Sequence, residues 1–230
     1  MKDQPFTIDT LLAALPLFAG AAPKEIERIA QGTRQLLAPR GTVLFNQGDA
    51  CESFHLVVYG QVKLALTSQK GSEKVVEIIG PGGTFGEALM FIGRPYIVYV
   101  QTLVDSLLLS VSKAVVLQEI ERSPQFALKM IASLCQRLHG LVKDIEGQSL
   151  QSGTQRFIGY LLREDKEGGL AGGLFSVTLP ASKTTIASRL NLTPEHFSRI
   201  LRDLASRELI SIDGRRVHVV DAEKLKAYGS

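Results

Sequence analysis

The segment from Ser182 to Arg202 concentrates side chains that can bind phosphates and hydrogen-bond to a planar ligand. Its second half carries an imidazole, a hydroxyl and two guanidinium groups, on His196, Ser198, Arg199 and Arg202. At helical spacing these lie on or near one face, and the opposite face is apolar: Phe197, Ile200, Leu201 and Leu204. Arrays of this kind suit the phosphates and base edges of a DNA groove.

The flanking residues predict two short helices that position these groups. Ser182 is a good N-cap for the first, and Thr193 for the second. Pro194 takes the first helical position, where its missing N–H costs nothing, and Glu195 follows in the first turn, where the helix dipole favours an anion. This is the layout of a helix-turn-helix. An ordinary helical hairpin that packs a core would show the same caps.

The next segment predicts a β-hairpin. Two strand-like runs, at 209–212 and 217–220, flank Asp213-Gly214, a good turn signal. Arg215 and Arg216 lie just past the turn. A basic hairpin directly after the second helix is typical of the wing of a winged helix, which contacts phosphates rather than bases.

Charge and composition indicate a globular chain of two domains. Residues 153–230 hold 12 basic and 9 acidic side chains, against 14 and 14 in residues 1–152, so the net charge of +3 lies in the C-terminal part. That distribution suits a polyanionic partner. Two cysteines, Cys51 and Cys135, give no disulfide framework. We expect no signal peptide, no membrane span and a cytoplasmic location.

The N-terminal half predicts an antiparallel sheet structure. Short β-prone runs recur about every ten residues between glycines, which favours a sandwich or barrel over alternating strands and helices. The runs lie at 42–45, 55–59, 62–66, 75–79, 97–100 and 107–109. Helical segments precede them, around 10–17 and 23–32.

A glycine-rich turn at 81–87 leads into a short apolar helix at 88–91. Such turns can bind an anion through backbone N–H groups, or they can simply reverse strands in a small barrel. No Gly-Lys-Ser/Thr follows, which excludes a P-loop.

Residues 123–151 predict one long helix. Apolar residues recur at alternating spacings of four and three, at Ala127, Ile131, Leu134, Leu138, Leu141 and Ile145. This heptad pattern predicts a coiled-coil seam between two copies, with a helix packed on its own sheet as the alternative. A dimer would pair two reading helices, as a palindromic operator requires.

With these residues in view, the chain resembles the CRP/FNR family of bacterial transcription regulators along nearly its whole length. The marks are Gly41, Gly48-Asp49, Gly60, the 81–87 turn, 193–202 and Leu209-Ile210. The resemblance implies an α+β fold with an N-terminal antiparallel β-roll or jelly roll like a cyclic-nucleotide-binding domain, a long dimerisation helix and a C-terminal winged helix-turn-helix. We expect an effector-sensing domain at 1–122, the dimerisation helix at 123–152 and the DNA-binding domain at 153–230.

The resemblance also implies roles for individual residues. The family's reading helix has a Glu and, four residues on, an Arg, and its FNR-like branch adds a preceding Ser, which makes Glu195, Ser198 and Arg199 the base-reading residues. The operator implied is an inverted repeat like TTGAT-N4-ATCAA. The expected phosphate contacts are Thr185, Thr193, Arg202, Arg215 and Arg216, and the expected dimer seam is Ile131, Leu134, Leu138, Leu141 and Ile145. The expected partners are double-stranded DNA, a second copy of the chain and RNA polymerase, and the expected activity is transcription activation.

The effector is less determined. The Arg-Ser pair that binds the cyclic phosphate in cyclic-AMP-responsive members is missing from 93–99, and two cysteines are too few for a four-cysteine iron–sulfur cluster. The chain looks most like the nitric-oxide-responsive, DNR-type branch, which makes haem a candidate cofactor and His55 and His139 candidate ligands. The expected effector pocket is lined by Gly86, Glu87, Leu89, Phe91, Leu134 and Leu138.

An enzyme is the alternative class, for instance a cupin-like barrel with an accessory domain. Its metal would need clustered ligands, whereas the four histidines are scattered over three predicted modules. No Ser-His-Asp order, paired carboxylate motif or H-E-x-x-H occurs. We therefore expect no catalytic residues and no metal site.

Overall fold

The computed structural model describes residues 7–68, 71–164 and 174–228. Its contacts divide the chain into two compact units. One comprises most of the chain up to His139, and the other comprises the chain from Gly140 onward together with Glu73–Val75. The predicted fold class is confirmed.

The described residues up to Arg122 form helices and eight short strands. The helices are α1 (Ile8–Ala13), α2 (Pro23–Gln31), α3 (Glu87–Ile92) and α4 (Lys113–Arg122), with a 3-10 turn at Pro16–Phe18. The strands are β1 (Thr33–Ala38), β2 (Val43–Phe45), β3 (Ser53–Tyr59), β4 (Val62–Thr67), β5 (Glu73–Ile79), β6 (Thr84–Phe85), β7 (Tyr99–Thr102) and β8 (Ser106–Ser112).

These strands form two four-stranded sheets, in the orders β1-β8-β3-β6 and β2-β7-β4-β5. The central strands β3 and β8 pair antiparallel, with Leu56 opposite Leu109 and Val57 opposite Leu108. All four of these side chains are fully buried, so the core lies against the middle of this sheet. The predicted runs correspond to β2, β3, β4, β5, β7 and β8. Glycines between these runs have positive φ in the structure: Gly41, Gly48, Gly60, Gly71, Gly82 and Gly86.

The long helix α5 spans Pro124–Leu150 and is continuous. It ends where a capping box begins the next helix: Ser152 Oγ accepts from Gln155 N at 3.2 Å, and Gln155 Oε1 accepts from Ser152 N at 2.7 Å. This reciprocal cap explains why the heptad pattern stops at this point.

The C-terminal unit contains the predicted helix pair and hairpin. Its further elements are α6 (Gly153–Glu164), β9 (Phe175–Thr178), α7 (Lys183–Arg189), α8 (Pro194–Ser206), β10 (Ile210–Asp213), β11 (Arg216–Val219) and α9 (Ala222–Tyr228). The hairpin β10–β11 gains a third strand, because β9 pairs antiparallel with β11. Strand β9 was not predicted, since its four residues are too few to show a strand pattern.

Across the parts of the chain that the structure describes, no helix is both long enough and apolar enough to cross a bilayer.

Candidate functional site

Both helices of the pair begin at the predicted caps. Ser182 Oγ accepts from the backbone N–H of Thr185 at 3.1 Å, and Thr193 Oγ1 accepts from that of His196 at 3.2 Å. Asn191, in the turn between them, adopts a left-handed conformation with φ 56°. The helix-turn-helix prediction is confirmed in its local geometry.

The second helix, α8, presents a polar surface patch. Its apolar side chains Phe197, Ile200, Leu201 and Leu204 are buried. The opposite side forms an open depression lined by Pro194, Glu195, Ser198, Arg199 and Arg202. Because the three predicted base-reading residues all line this depression, they can reach one ligand surface together.

Tight packing on α6 holds this patch in place. Phe157 of α6 meets Phe197 edge-on, with ring centroids 5.0 Å apart. At the start of α6, a Cβ on Gly153 would lie 2.8 Å from Leu192 Cδ2 and 3.2 Å from His196 Cε1. A larger residue at position 153 would therefore displace the end of the Leu192 side chain.

The predicted phosphate-contacting residues lie around the patch and on the hairpin. Arg202 is exposed on α8, and Arg215 and Arg216 are exposed at the β10–β11 turn. Thr193 is exposed, but its hydroxyl already caps α8, and Thr185 Oγ1 lies 2.9 Å from Ser182 Oγ. The three arginines are thus the best placed of the five for phosphates.

Two sets of polar contacts within the C-terminal unit bind its helices together. Asp144, in the last third of α5, accepts from Arg189 at the end of α7 and lies 3.7 Å from the Arg163 guanidinium of α6. The Arg156 guanidinium donates to the carbonyl oxygens of Gln151 at 2.7 Å, Leu190 at 2.8 Å and Asn191 at 3.3 Å. The contacts of Arg189 with Asp144 and of Arg156 with Leu190 could not be predicted from local patterns, because their partners lie 45 and 34 residues apart.

In the N-terminal unit, the predicted effector turn holds an ionic cluster. Gly86 has φ 89°, and Glu87, which begins α3, is 2% exposed. Glu87 Oε1 accepts from Thr84 Oγ1 at 2.9 Å and from Arg137 at 3.4 Å, whereas its Oε2 is buried without a hydrogen-bond partner. Arg137 also donates to Glu77 Oε2, at 2.6 and 3.0 Å, and to the carbonyl of Thr84 at 3.2 Å.

Arg137 is a residue that the sequence analysis did not select for this turn. It extends the buried face of α5, which carries Phe126 and Met130, and it reaches the turn that we expected Leu138 to reach. Leu138 is 62% exposed and lies on another face, whereas Leu134, Leu89 and Phe91 are half-buried. The seven-residue spacing of Met130 and Arg137 places both on one face of α5, and it was the only sequence signal that Arg137 faces the N-terminal unit.

His55 lies inside a cluster of rings beside this turn. Its ring centroid is 4.6 Å from that of Phe45 and 4.9 Å from that of Phe85. Its Nδ1 is 3.3 Å from Tyr96 Oη and its Nε2 3.5 Å from Ser53 Oγ, and burial lowers its pKa to about 3. Both ring nitrogens already have partners, so His55 does not suit an iron ligand.

The other candidate ligand and the two thiols lie in different surroundings. His139 is exposed on α5. Cys51 Sγ is buried 3.3 Å from the Gly86 carbonyl oxygen, and burial raises its pKa, whereas Cys135 is exposed on α5. Among the described residues, no group of three or more His, Cys, Asp or Glu side chains could hold a metal ion. With His55 enclosed among rings and His139 exposed to solvent, the surroundings of the two imidazoles do not fit a haem.

The exposed face of α5 carries an apolar stripe. Ile131, Leu138 and Ile145 of the predicted seam are 54–64% exposed, but Leu134 and Leu141 are half-buried. Leu128 and Val142, at 56% and 55%, are exposed beside the first three. The stripe that we call the α5 stripe therefore consists of Leu128, Ile131, Cys135, Leu138, Val142 and Ile145.

Comparison with known proteins identifies two domains. Residues 36–123 match the cyclic nucleotide-binding domain, and residues 155–228 match the Crp-like helix-turn-helix domain. The first match covers most of the N-terminal strands and the turn at 81–87, and the second covers the helix pair and the hairpin.

The chain is also similar to known regulators along nearly its whole length. The chain is 29% identical to the probable transcriptional regulator flp of Lacticaseibacillus casei, over 94% of this chain and 96% of that protein. It is 28% identical to the cyclic AMP receptor protein of Thermus thermophilus, over 92% and 95%. The solved structure of DNR from Pseudomonas aeruginosa is 30% identical, covers 99% of this chain and 100% of that one, and has a TM-score of 0.51.

Proposed function

Because the chain belongs to the CRP/FNR family of transcription regulators, we propose that it acts as a homodimer on an inverted repeat and is controlled by an effector other than cyclic AMP. The α8 patch is the observation that carries the proposal. Glu195, Ser198 and Arg199 line one face of a capped helix; Glu195 and Arg199 are exposed and Ser198 is half-buried. The opposite face of the helix packs on α6 through Phe197. Arg199 would bind guanine O6 and N7, Glu195 would accept from cytosine N4, and Ser198 would contact either kind of base edge.

Phosphate contacts would come from the arginines around the patch. Arg202 follows Arg199 by three residues on α8, and Arg215 and Arg216 lie on the hairpin turn. Contacts of this kind fix the position of the protein on DNA but carry no sequence information. The preference for a TTGAT half-site therefore depends on the three base-reading residues.

Dimerisation through α5 would supply the symmetry of the operator. The α5 stripe alternates spacings of three and four over five turns, and none of its residues is charged. A face with this periodicity fits a second helix with the same periodicity, and an identical helix provides it. Ile131, Leu138 and Ile145 belong to the originally predicted seam as well, so they form its common core.

The effector would act at the turn between β6 and α3. Arg137 is the one cation that contacts Glu87 in the described part of the chain, and it is already shared with Glu77 and the Thr84 carbonyl. An entering cyclic phosphate would meet two carboxylates and a guanidinium whose donors are engaged, so the turn does not favour an anion. This argues against cyclic AMP, although several relatives are named as cyclic AMP receptors or cyclic-AMP-activated regulators.

A mobility-shift titration at moderate salt tests the proposal. The full chain should bind a duplex carrying TTGAT-N4-ATCAA far more tightly than a scrambled duplex of equal length, by a factor of about 1000 or more. Sedimentation equilibrium on the same sample should give twice the chain mass. Equal affinity for the two duplexes would refute sequence-specific reading, and a monomer would refute the dimer. Transcription activation through RNA polymerase is the output that the family membership supports.

A further inference from the structure

The contacts of Asp144 with Arg189 and Arg163 take no part in the proposed base reading, phosphate contacts or effector binding. Asp144 lies on α5, six residues before the end of the helix. Its carboxylate is 17% exposed and accepts from Arg189, whose side chain is 21% exposed, at the end of α7. It also faces Arg163 of α6 at 3.7 Å. One carboxylate thus joins the last third of α5 to α6 and α7.

A second set of bonds reinforces this connection from the other side. Arg156 holds the carbonyl of Gln151, where α5 gives way to α6, and the carbonyls of Leu190 and Asn191, in the helix-turn-helix turn. These carbonyls stand at helix ends, where they lack intrahelical partners. The connection from α5 into α6 is thereby bonded directly to the turn that positions α8.

We infer that Asp144 determines the half-site spacing that the dimer accepts; the inference rests on the proposed function. In a dimer, each α5 contacts its symmetry mate, so the direction of α8 relative to α5 sets the distance and rotation between the two reading helices. Moving one half-site by one base pair rotates it by about 35° around the DNA axis, because a turn takes 10–10.5 base pairs. Only a stiff junction rejects such a change.

The energetic consequence follows from effective concentration. Once one half-site is bound, the second reading helix binds its half-site as an intramolecular partner, and the junction confines it to a small volume. Breaking the Asp144 contacts enlarges that volume. The affinity for the N4 palindrome then falls, and the affinities for neighbouring spacings rise relative to it.

The test uses Asp144→Asn in the full chain, with Glu146→Gln as the matched control. Both substitutions remove one negative charge from the same turn of α5, but Glu146 has no ion pair among the described residues and is exposed. Mobility shifts would be measured on TTGAT-ATCAA palindromes with spacers of three, four and five base pairs. The ratio of N4 to N5 affinity should fall about tenfold in Asp144→Asn and stay at the wild-type value in Glu146→Gln.

A second variant separates loosening from misfolding. Arg189→Gln breaks the same pair from the α7 side, so it should flatten the spacing preference similarly, and the double variant should add little to either single one. A wild-type ratio retained in both Asp144→Asn and Arg189→Gln would overturn the inference while leaving the proposed function intact. Failure of the wild-type chain to distinguish the palindrome from scrambled DNA would instead refute the proposed function, and this inference with it.

Discussion

Three titratable groups of the N-terminal unit are buried in its interior, whereas the charged groups of the α8 patch in the C-terminal unit are exposed. His55, Glu87 and Glu119 are at most 2% exposed. Glu195, Arg199 and Arg202 are all exposed on α8. Groups on an exposed helix face are free to bind a ligand directly. Buried polar groups are coupled to one another, because moving one of them leaves its neighbour without a hydrogen-bond partner.

The buried groups of the N-terminal unit are partnered from the helices around it. Glu119 of α4 accepts two hydrogen bonds from Arg28 of α2, at 2.5 and 2.8 Å. Glu87 depends in the same way on Arg137 of α5. In both cases the arginine is the more exposed member and crosses from one helix to another element. The buried ion pairs of the N-terminal unit suit a change in internal packing, whereas the exposed α8 patch of the C-terminal unit suits direct binding of a ligand.

The largest expected effect is a loss of stability when the buried ring of Phe197 is removed from the C-terminal unit. Phe197→Ala should lower the free energy of unfolding of the C-terminal unit by about 3–5 kcal/mol, because the ring is fully buried against Phe157 and its loss leaves a cavity. Differential scanning calorimetry would show this as a lower transition for that unit. The matched control is Val220→Ala, at a 45% exposed position, which should stay within about 0.5 kcal/mol of the wild type. An equal shift of every transition would mean that the units do not unfold separately.

A smaller effect should appear when an exposed group is removed instead. Arg199→Ala should weaken binding to the palindrome by about 1–3 kcal/mol and relax specificity at one base position, without changing the stability of the unit. Arg216→Ala on the hairpin should weaken binding to palindrome and scrambled DNA alike. Fluorescence anisotropy with both duplexes measures the ratio of palindrome to scrambled-DNA affinity in each variant. A uniform loss in Arg199→Ala would place that residue on the phosphates.

The smallest effect concerns the interior of the N-terminal unit and depends on pH. The pKa of His55 in the native chain is about 3, below its ordinary value of 6.5. Between these two pH values the unfolded chain therefore binds a proton at His55 and the native chain does not. Stability is therefore full above pH 6.5 and falls below it, by about 1.4 kcal/mol for each pH unit, until the pH approaches 3.

Urea unfolding at pH 7.5 and 5.5 would measure this loss in the wild type and in His55→Gln. The variant should lack the His55 contribution, whereas His139→Gln, an exposed position on α5, should keep it. The same pH dependence in His55→Gln as in the wild type would show that another group is responsible.

The local elements could be predicted because their signals lie within a few residues. Ser182 and Thr193 bond to N–H groups three residues on, and the turn glycines stand where φ is positive. Ionic contacts could not be predicted in this way. Arg137 and Glu77 are 60 residues apart, and Arg189 and Asp144 are 45 apart, so only the folded chain brings them together.

The face of α5 was ambiguous for a different reason. The stripe with Leu134 and Leu141 and the stripe with Cys135 and Val142 share Ile131, Leu138 and Ile145 and differ by a shift of one residue. Both satisfy a heptad, so periodicity alone does not choose between them. The choice depends on which side the rest of the N-terminal unit covers, and Phe126 and Met130 are the residues it buries.

The thiols of the chain offer a practical consequence. Cys51 is enclosed and its pKa is raised by burial, whereas Cys135 is open to solvent midway along the α5 stripe. A maleimide dye would therefore attach at a single position, with no engineered cysteine needed. Since association along the stripe would cover Cys135, a slower labelling rate of this thiol would report the pairing of chains.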